Sequence, residues 1–271
     1  LVYRDTAPVN WCPGCQTVLA NEQVLGDGTC ERSGDLVERR DMEQWFYRIT
    51  DYAQQLLDDM DTVDWPEKVK VMQRHWIGRS EGTEFGLAVA DDDGNARSDV
   101  KPLMVFTTRP DTAFGITFAV ISPEHPRVDE LTTEDRKADV DAFRAEVAGR
   151  SEIDRMSTSA ALDKRGVATG GRVVNPFTGM AIPIFLADYV LMTYGTGAIM
   201  AVPGQDQRDW DFAKAHDCDI VRTVQPPDDF DGDAYLGDGP AVNSGFLDGL
   251  DVGEAKTAAS DWLEAEGLGV R

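Results

Sequence analysis

The chain has 271 residues, enough for one large domain or two small ones, and 42% of them are hydrophobic, so a packed core can form. No apolar run approaches the roughly 20 residues that span a bilayer, and the N-terminus of this sequence, without a basic stretch followed by an apolar one, does not read as a secretory signal. Net charge is −23, from 49 acidic against 26 basic residues; this argues against a basic nucleic-acid face in dilute salt and reads first as a solvated acidic surface of the halophilic kind, with a cation-binding surface as the second reading.

In chain order, the sequence lacks an initiator Met and opens in mid-pattern, so a piece of a longer chain is expected. Cys12-Pro13-Gly14-Cys15 comes first, followed by Cys30-Glu31-Arg32-Ser33. Two CxxC knuckles at this kind of separation make a tetrahedral structural zinc site. Here Ser33, a poor zinc ligand, stands in the fourth place. Three thiolates would then need Glu31, Asp35 or water to complete the site, or the knuckle keeps its shape without metal. Clustered thiols suit a reducing cytoplasm better than a disulfide framework. A helix is expected over about Asp41–Met60, from the spacing of Trp45, Phe46, Ile49, Tyr52, Ala53, Leu56 and Leu57, and a second from Pro66 to about His75. These elements make a first region, residues 1–75.

From 76 to 245, strands are expected at Glu84–Ala90, Leu103–Thr108, Thr117–Ser122, Ala181–Leu186 and Ala198–Val202. They are short, rich in β-branched residues, and bounded by Gly, Pro or Asp. Helices are expected at about Glu134–Ala148, capped by Thr132-Thr133, and at Gln207–His216, with long loops at 150–174 and 223–241. The irregular alternation points to an α/β fold: a compact barrel-like sheet with peripheral helices rather than a doubly wound one. Residues 246–271 read as a linker and a helix over about Glu254–Glu266, and no internal repeat is present.

Two further segments carry candidate chemistry. In Phe106-Thr107-Thr108-Arg109-Pro110-Asp111-Thr112, three hydroxyls and a guanidinium gather where Pro110 stops a strand; an ordinary capped turn is the plainer reading. In Tyr194-Gly195-Thr196-Gly197 through Val202-Pro203-Gly204-Gln205-Asp206-Gln207-Arg208-Asp209, a glycine-flanked strand runs into a turn and a helix. Asp206 suits the N-cap and Asp209 the first turn. The Gly-x-Gly precedes a strand, which makes it weak as a phosphate signature. His75, His125 and His216 are scattered, with no nucleophile–base arrangement, so any hydrolysis would use an activated water.

The stretches APVNWCPGCQTVLANEQV, WPEKVKVMQRHWIGRSEG, FTTRPDTAFGITFAVISPEHP, LADYVLMTYGTGAIMAVPGQDQRDWDFAKAHD and NSGFLDGLDVGEAK, in that order, strongly resemble bacterial-type leucyl-tRNA synthetases. The threonine-rich motifs of the isoleucyl and valyl enzymes read differently. HIGH-type and KMSKS-type motifs are absent from this sequence. The resemblance therefore implies the zinc-knuckle region (1–75), the inserted editing (CP1) domain (76–245) and a return linker (246–271). The implied activity is hydrolysis of tRNA(Leu) mischarged with isoleucine, valine or norvaline, with leucine excluded, because a hydrophobic pocket separates one methylene by only about 1–3 kcal/mol. The resemblance further implies a cytoplasmic, monomeric protein with no membrane partner, working on the tRNA 3′ end alongside the remainder of the synthetase. Editing itself would need no cofactor; ATP and Mg would belong to the full-length enzyme, and zinc would be structural.

Carried over by motif, Asp209 would pair with the substrate α-ammonium and Asp206 would support it. Thr112 would exclude leucine. Thr107 and Thr108 would hydrogen-bond near the ester and the attacking water. Arg109 would hold the backbone of the terminal adenosine, and Leu191, Tyr194, Met200 and Val202 would line the pocket. Three residues depart from the family pattern: Ser33 for Cys, Ala113 for Leu and Gln205 for His. They motivate a second reading, an inactive paralogue that binds tRNA or a partner.

Overall fold

A computed structural model describes residues 1–148, 165–192 and 195–271. They form two units, Leu1–Ser80 and Glu81–Arg271. In the first, β1 (Val2–Cys12) sits between β2 (Thr17–Leu19) and β3 (Glu38–Tyr47), both antiparallel to it. The β1–β3 ladder runs from Val2↔Tyr47 to Trp11↔Glu38. This corrects the helix expected over Asp41–Met60. The spacing that suggested it runs through three elements: the aromatic end of β3, a 3₁₀ turn at Ile49–Tyr52, and α1 (Ala53–Asp59). Along β3, Met42, Gln44 and Phe46 are less exposed than their neighbours, a period of two. A long cross-strand ladder outweighs weak local propensity here. Helix α2 (Glu67–Ile77) forms as expected, starts after Pro66, and ends at Gly78 in the left-handed region (φ 63°).

In the second unit all the strands expected from sequence form, with ends shifted by one residue at most: β4 (Thr83–Val89), β5 (Leu103–Thr107), β6 (Phe118–Ile121), β8 (Ala181–Ala187) and β9 (Ala198–Ala201). Two more were not expected, β7 (Gly166–Val174) and β10 (Gly269–Val270). The sheet order is β10-β4-β7-β8-β6-β9, with β5 also paired to β4. The β6–β8 pair is parallel and the others are antiparallel. The sheet curls so that β9 packs against β5, and the Thr196 hydroxyl just before β9 donates to the Met104 carbonyl at 2.7 Å. Among the described residues no ladder joins β5 to β9, so backbone hydrogen bonds leave the ring open. The fold is a mixed α/β sheet core with peripheral helices.

The loop expected at 150–174 lies partly outside the described residues, and its last part is β7. Glycines hid that strand. At Gly170 (φ 79°) a Cβ would come within 1.9 Å of the Thr133 hydroxyl, and at Gly171 within 2.3 Å of the Leu131 carbonyl. The two glycines let a bulged strand pass beneath residues 131–133. A 3₁₀ turn (Glu134–Arg136) leads into α3 (Lys137–Ala148). Thr133 occupies the N-cap position, but its hydroxyl donates to the Thr169 carbonyl at 3.2 Å instead of capping. Helix α4 spans Gln207–His216, as expected, and α5 spans Val252–Ala265, opened by an Asp251/Glu254 capping box. The main core packs Phe85, Leu87, Leu103, Val105, Ile121, Ile184 and Leu186 against Leu263 of α5. A second cluster seats Phe212 of α4 on Phe118 and Phe185. Packing on both sides fixes the strand ends that carry the site. No helix among the described residues is long and apolar enough to cross a membrane.

Candidate functional site

The ends of β5 and β9 and the start of α4 meet around a pocket of about 220 Å³. Two segments nearly a hundred residues apart supply its walls: Phe106, Thr107, Thr108, Arg109 and Thr112 from one, and Ile199, Met200, Val202, Gln205, Asp206, Arg208 and Asp209 from the other.

After β5, Pro110 starts a 3₁₀ turn (Pro110–Gly115) that turns the chain inward and buries Asp111, Thr112 and Ala113. The Arg109 N–H donates to Thr107 Oγ1 at 2.9 Å. The Thr112 hydroxyl donates to the Arg109 carbonyl, also at 2.9 Å. Thr112 is only 2% exposed, so its side chain is a fixed part of the wall. The Arg109 guanidinium forks onto the Asp111 carboxylate, Nε to Oδ1 at 3.0 Å and Nη2 to Oδ2 at 2.8 Å, and this raises the Arg109 pKa.

Across the pocket, Asp206 caps α4, accepting from the N–H groups of Arg208 (2.8 Å) and Asp209 (3.2 Å). It also takes the Arg208 guanidinium at 3.1 Å. Asp209 is buried, and its Oδ2 accepts the Val202 N–H at 2.8 Å. Burial first, and then the neighbouring Asp206 charge, push the Asp209 carboxyl up to about 7; the Val202 N–H and Arg208 oppose them. An acidic group held near neutrality at a pocket wall is suited to receiving a cation, which would restore its charge.

Of the residues expected from sequence, Thr107, Thr108, Arg109, Thr112, Met200, Val202, Asp206 and Asp209 all line this one pocket. Leu191 is buried and is not among the lining residues. Tyr194 lies outside the described residues. Phe106, Ile199 and Arg208 line the pocket and were missed. Each neighbours an expected residue in sequence, and strand alternation would have flagged Ile199 less readily than Met200. Gln205 places its Oε1 on the Thr223 hydroxyl at 2.8 Å and the Thr223 N–H at 3.3 Å. Its Nε2 is buried without a partner among the described residues. Ala113 packs in the core, where Asn175 Nδ2 holds its carbonyl at 3.0 Å. A larger groove of about 390 Å³, between Asp91, Arg97, Glu130 and Arg172, contains none of the expected residues. Its arginines are committed to Asp99 and to the Ala181 carbonyl.

In the first unit the sulfurs of Cys12, Cys15 and Cys30 lie within 4.8 Å of one another, and Cys15 and Cys30 are 3.9 Å apart. Zinc–thiolate bonds of about 2.3 Å in a tetrahedron would put sulfurs roughly 3.8 Å apart, so these three fit a zinc ion. Ser33 lies beside the cluster, its Oγ 3.1 Å from Cys12 Sγ. Neither Glu31 nor Asp35 joins the cluster. The backbone N–H groups of Ser33 and Arg32 lower the Cys30 thiol to about 7, towards the thiolate a metal needs.

Residues 74–264 match the family model described as "Leucyl-tRNA synthetase, editing domain", and residues 1–81 match "tRNA synthetases class I (I, L, M and V)". The chain is 49% identical to a leucine–tRNA ligase of Salinispora arenicola over 290 aligned positions, covering 99% of this chain and 30% of the relative. It is 46% identical to the leucine–tRNA ligase of Clostridium tetani, covering 100% of this chain and 32% of that one. The chain thus spans about a third of the length of these relatives. Among solved structures it resembles the ternary complex of Agrobacterium radiobacter K84 agnB2 LeuRS, tRNA and LeuAMS, with TM-score 0.67 and 35% identity over 100% of this chain and 30% of that one.

Proposed function

The chain belongs to the leucyl-tRNA synthetase editing-domain family, and from that premise we propose that it hydrolyses the ester of mischarged tRNA(Leu) and spares leucyl-tRNA. The observation that carries this reading is the single pocket formed by Thr107, Thr108, Arg109 and Thr112 with Asp206 and Asp209. In this reading the α-ammonium of the aminoacyl group docks on Asp209 and draws its carboxyl into the ionised form. Thr107, whose oxygen already accepts the Arg109 N–H, keeps its own O–H free to donate towards the ester or the attacking water. Water adds to the ester carbonyl, the bond to the ribose oxygen breaks, and that oxygen takes the proton. The products are a free amino acid and an uncharged tRNA. Thr112, held by its hydroxyl, meets the substrate side chain with a rigid wall, and the extra reach of leucine is refused there. Met200 and Val202 complete the apolar lining. The acidic surface serves solubility in concentrated salt, and zinc on the three thiolates, where bound, fixes the knuckle.

Two variants test the roles. Thr112→Ala should cleave leucyl-tRNA(Leu) as well as isoleucyl-tRNA(Leu), while Thr112→Val, which keeps the shape, should still spare leucyl-tRNA. An alanine variant that spares leucyl-tRNA while cleaving the isoleucyl ester removes Thr112 from the exclusion role.

A further inference from the structure

Arg109 is held from two sides. Its N–H and carbonyl are engaged by Thr107 and Thr112, and one edge of its guanidinium is engaged by Asp111. The Asp111 side chain is 3% exposed and that of Arg109 is 31% exposed, so the anion is sealed in while the cation still reaches the pocket. A buried ion pair adds little net stability, since desolvation offsets the attraction. What it does set is direction. Arginine has five N–H donors in a rigid fork, and Asp111 takes the Nε and Nη2 edge. Among the described residues no hydrogen bond reaches Nη1. The other carboxylate acting on this guanidinium, Asp238, does so at longer range.

We infer that Asp111 is a positioning residue: it locks the Arg109 guanidinium so that the Nη1 edge is presented to a phosphodiester oxygen at the 3′ end of the RNA. This rests on the editing reading of Arg109. A lysine could carry the charge but not two edges at once.

The test measures binding of a CCA trinucleotide and deacylation of isoleucyl-tRNA(Leu) by the intact chain and its variants. Asp111→Asn should weaken CCA binding and raise KM by about tenfold, the scale of a misplaced positioning contact, with kcat changed less than about twofold. In an Arg109→Ala background the same substitution should add almost nothing, because its partner is gone. Arg109→Lys, which keeps the charge should Asp111→Asn not fold, should weaken CCA binding to a similar degree. A full tenfold loss from Asp111→Asn in the Arg109→Ala background would overturn the inference, as would a fall in kcat at constant KM, wild-type binding by Arg109→Lys, or no CCA binding by the wild type. If the wild type binds CCA with the predicted variant pattern but hydrolyses nothing, the editing reading fails and the positioning role stands.

Discussion

Asp209 faces two opposed demands at the pocket wall. Burial favours its neutral form, and the proposed ammonium contact requires the charged one. Its folded pKa of about 7 lies above the 3.8 of an ordinary aspartate, so the native state holds a proton that the unfolded chain releases between those values. The fold therefore loses stability as pH rises from about 4 through 7, by up to roughly 4 kcal/mol if the group ionises unaided. Asp209→Asn should flatten that dependence in thermal melts taken across the range. The same substitution should nearly abolish deacylation, and the wild-type kcat/KM should rise through about pH 7 as the free carboxyl ionises. A rate independent of pH between 5 and 8 would remove Asp209 from the ammonium role. Its place in the first turn of α4 was readable from sequence. Its burial and its bond to the Val202 N–H were not, because they depend on how β9 meets the helix.

At the scale of elements, α4 shows how a cap and a site share residues. Asp206 accepts two backbone N–H groups, so the plain reading of it as an N-cap holds in the structure. Asp206→Ala should cost about 1 kcal/mol of stability, the usual value of a lost cap. Asp206→Asn should keep most of that stability while removing the charge that adds to burial in raising Asp209. An unchanged melt in the alanine variant would mean that the cap contributes nothing. The strands around the site were legible because short β-branched runs between breakers leave few alternatives. β7 was not, because its glycines answer to the chain crossing above it. β3 was mistaken for a helix because its aromatic end and the turn beyond it mimic helical spacing for a few residues, and only the pairing with β1 breaks the tie.

At the scale of the whole molecule, each unit carries its own candidate chemistry: a three-cysteine cluster in Leu1–Ser80 and the pocket proposed for editing in Glu81–Arg271. Metal analysis should find zinc, lost on Cys30→Ser. Chelation should then lower the melting of the first unit while deacylation continues, since the pocket draws no residue from it. A chelated protein that keeps its first transition unchanged would show that the knuckle stands without metal. The decisive measurement is deacylation by the wild-type chain of isoleucyl-tRNA(Leu) and leucyl-tRNA(Leu) side by side. The proposed function predicts rapid loss of the isoleucyl ester with leucyl-tRNA intact; turnover of neither, or equal turnover of both, would contradict it.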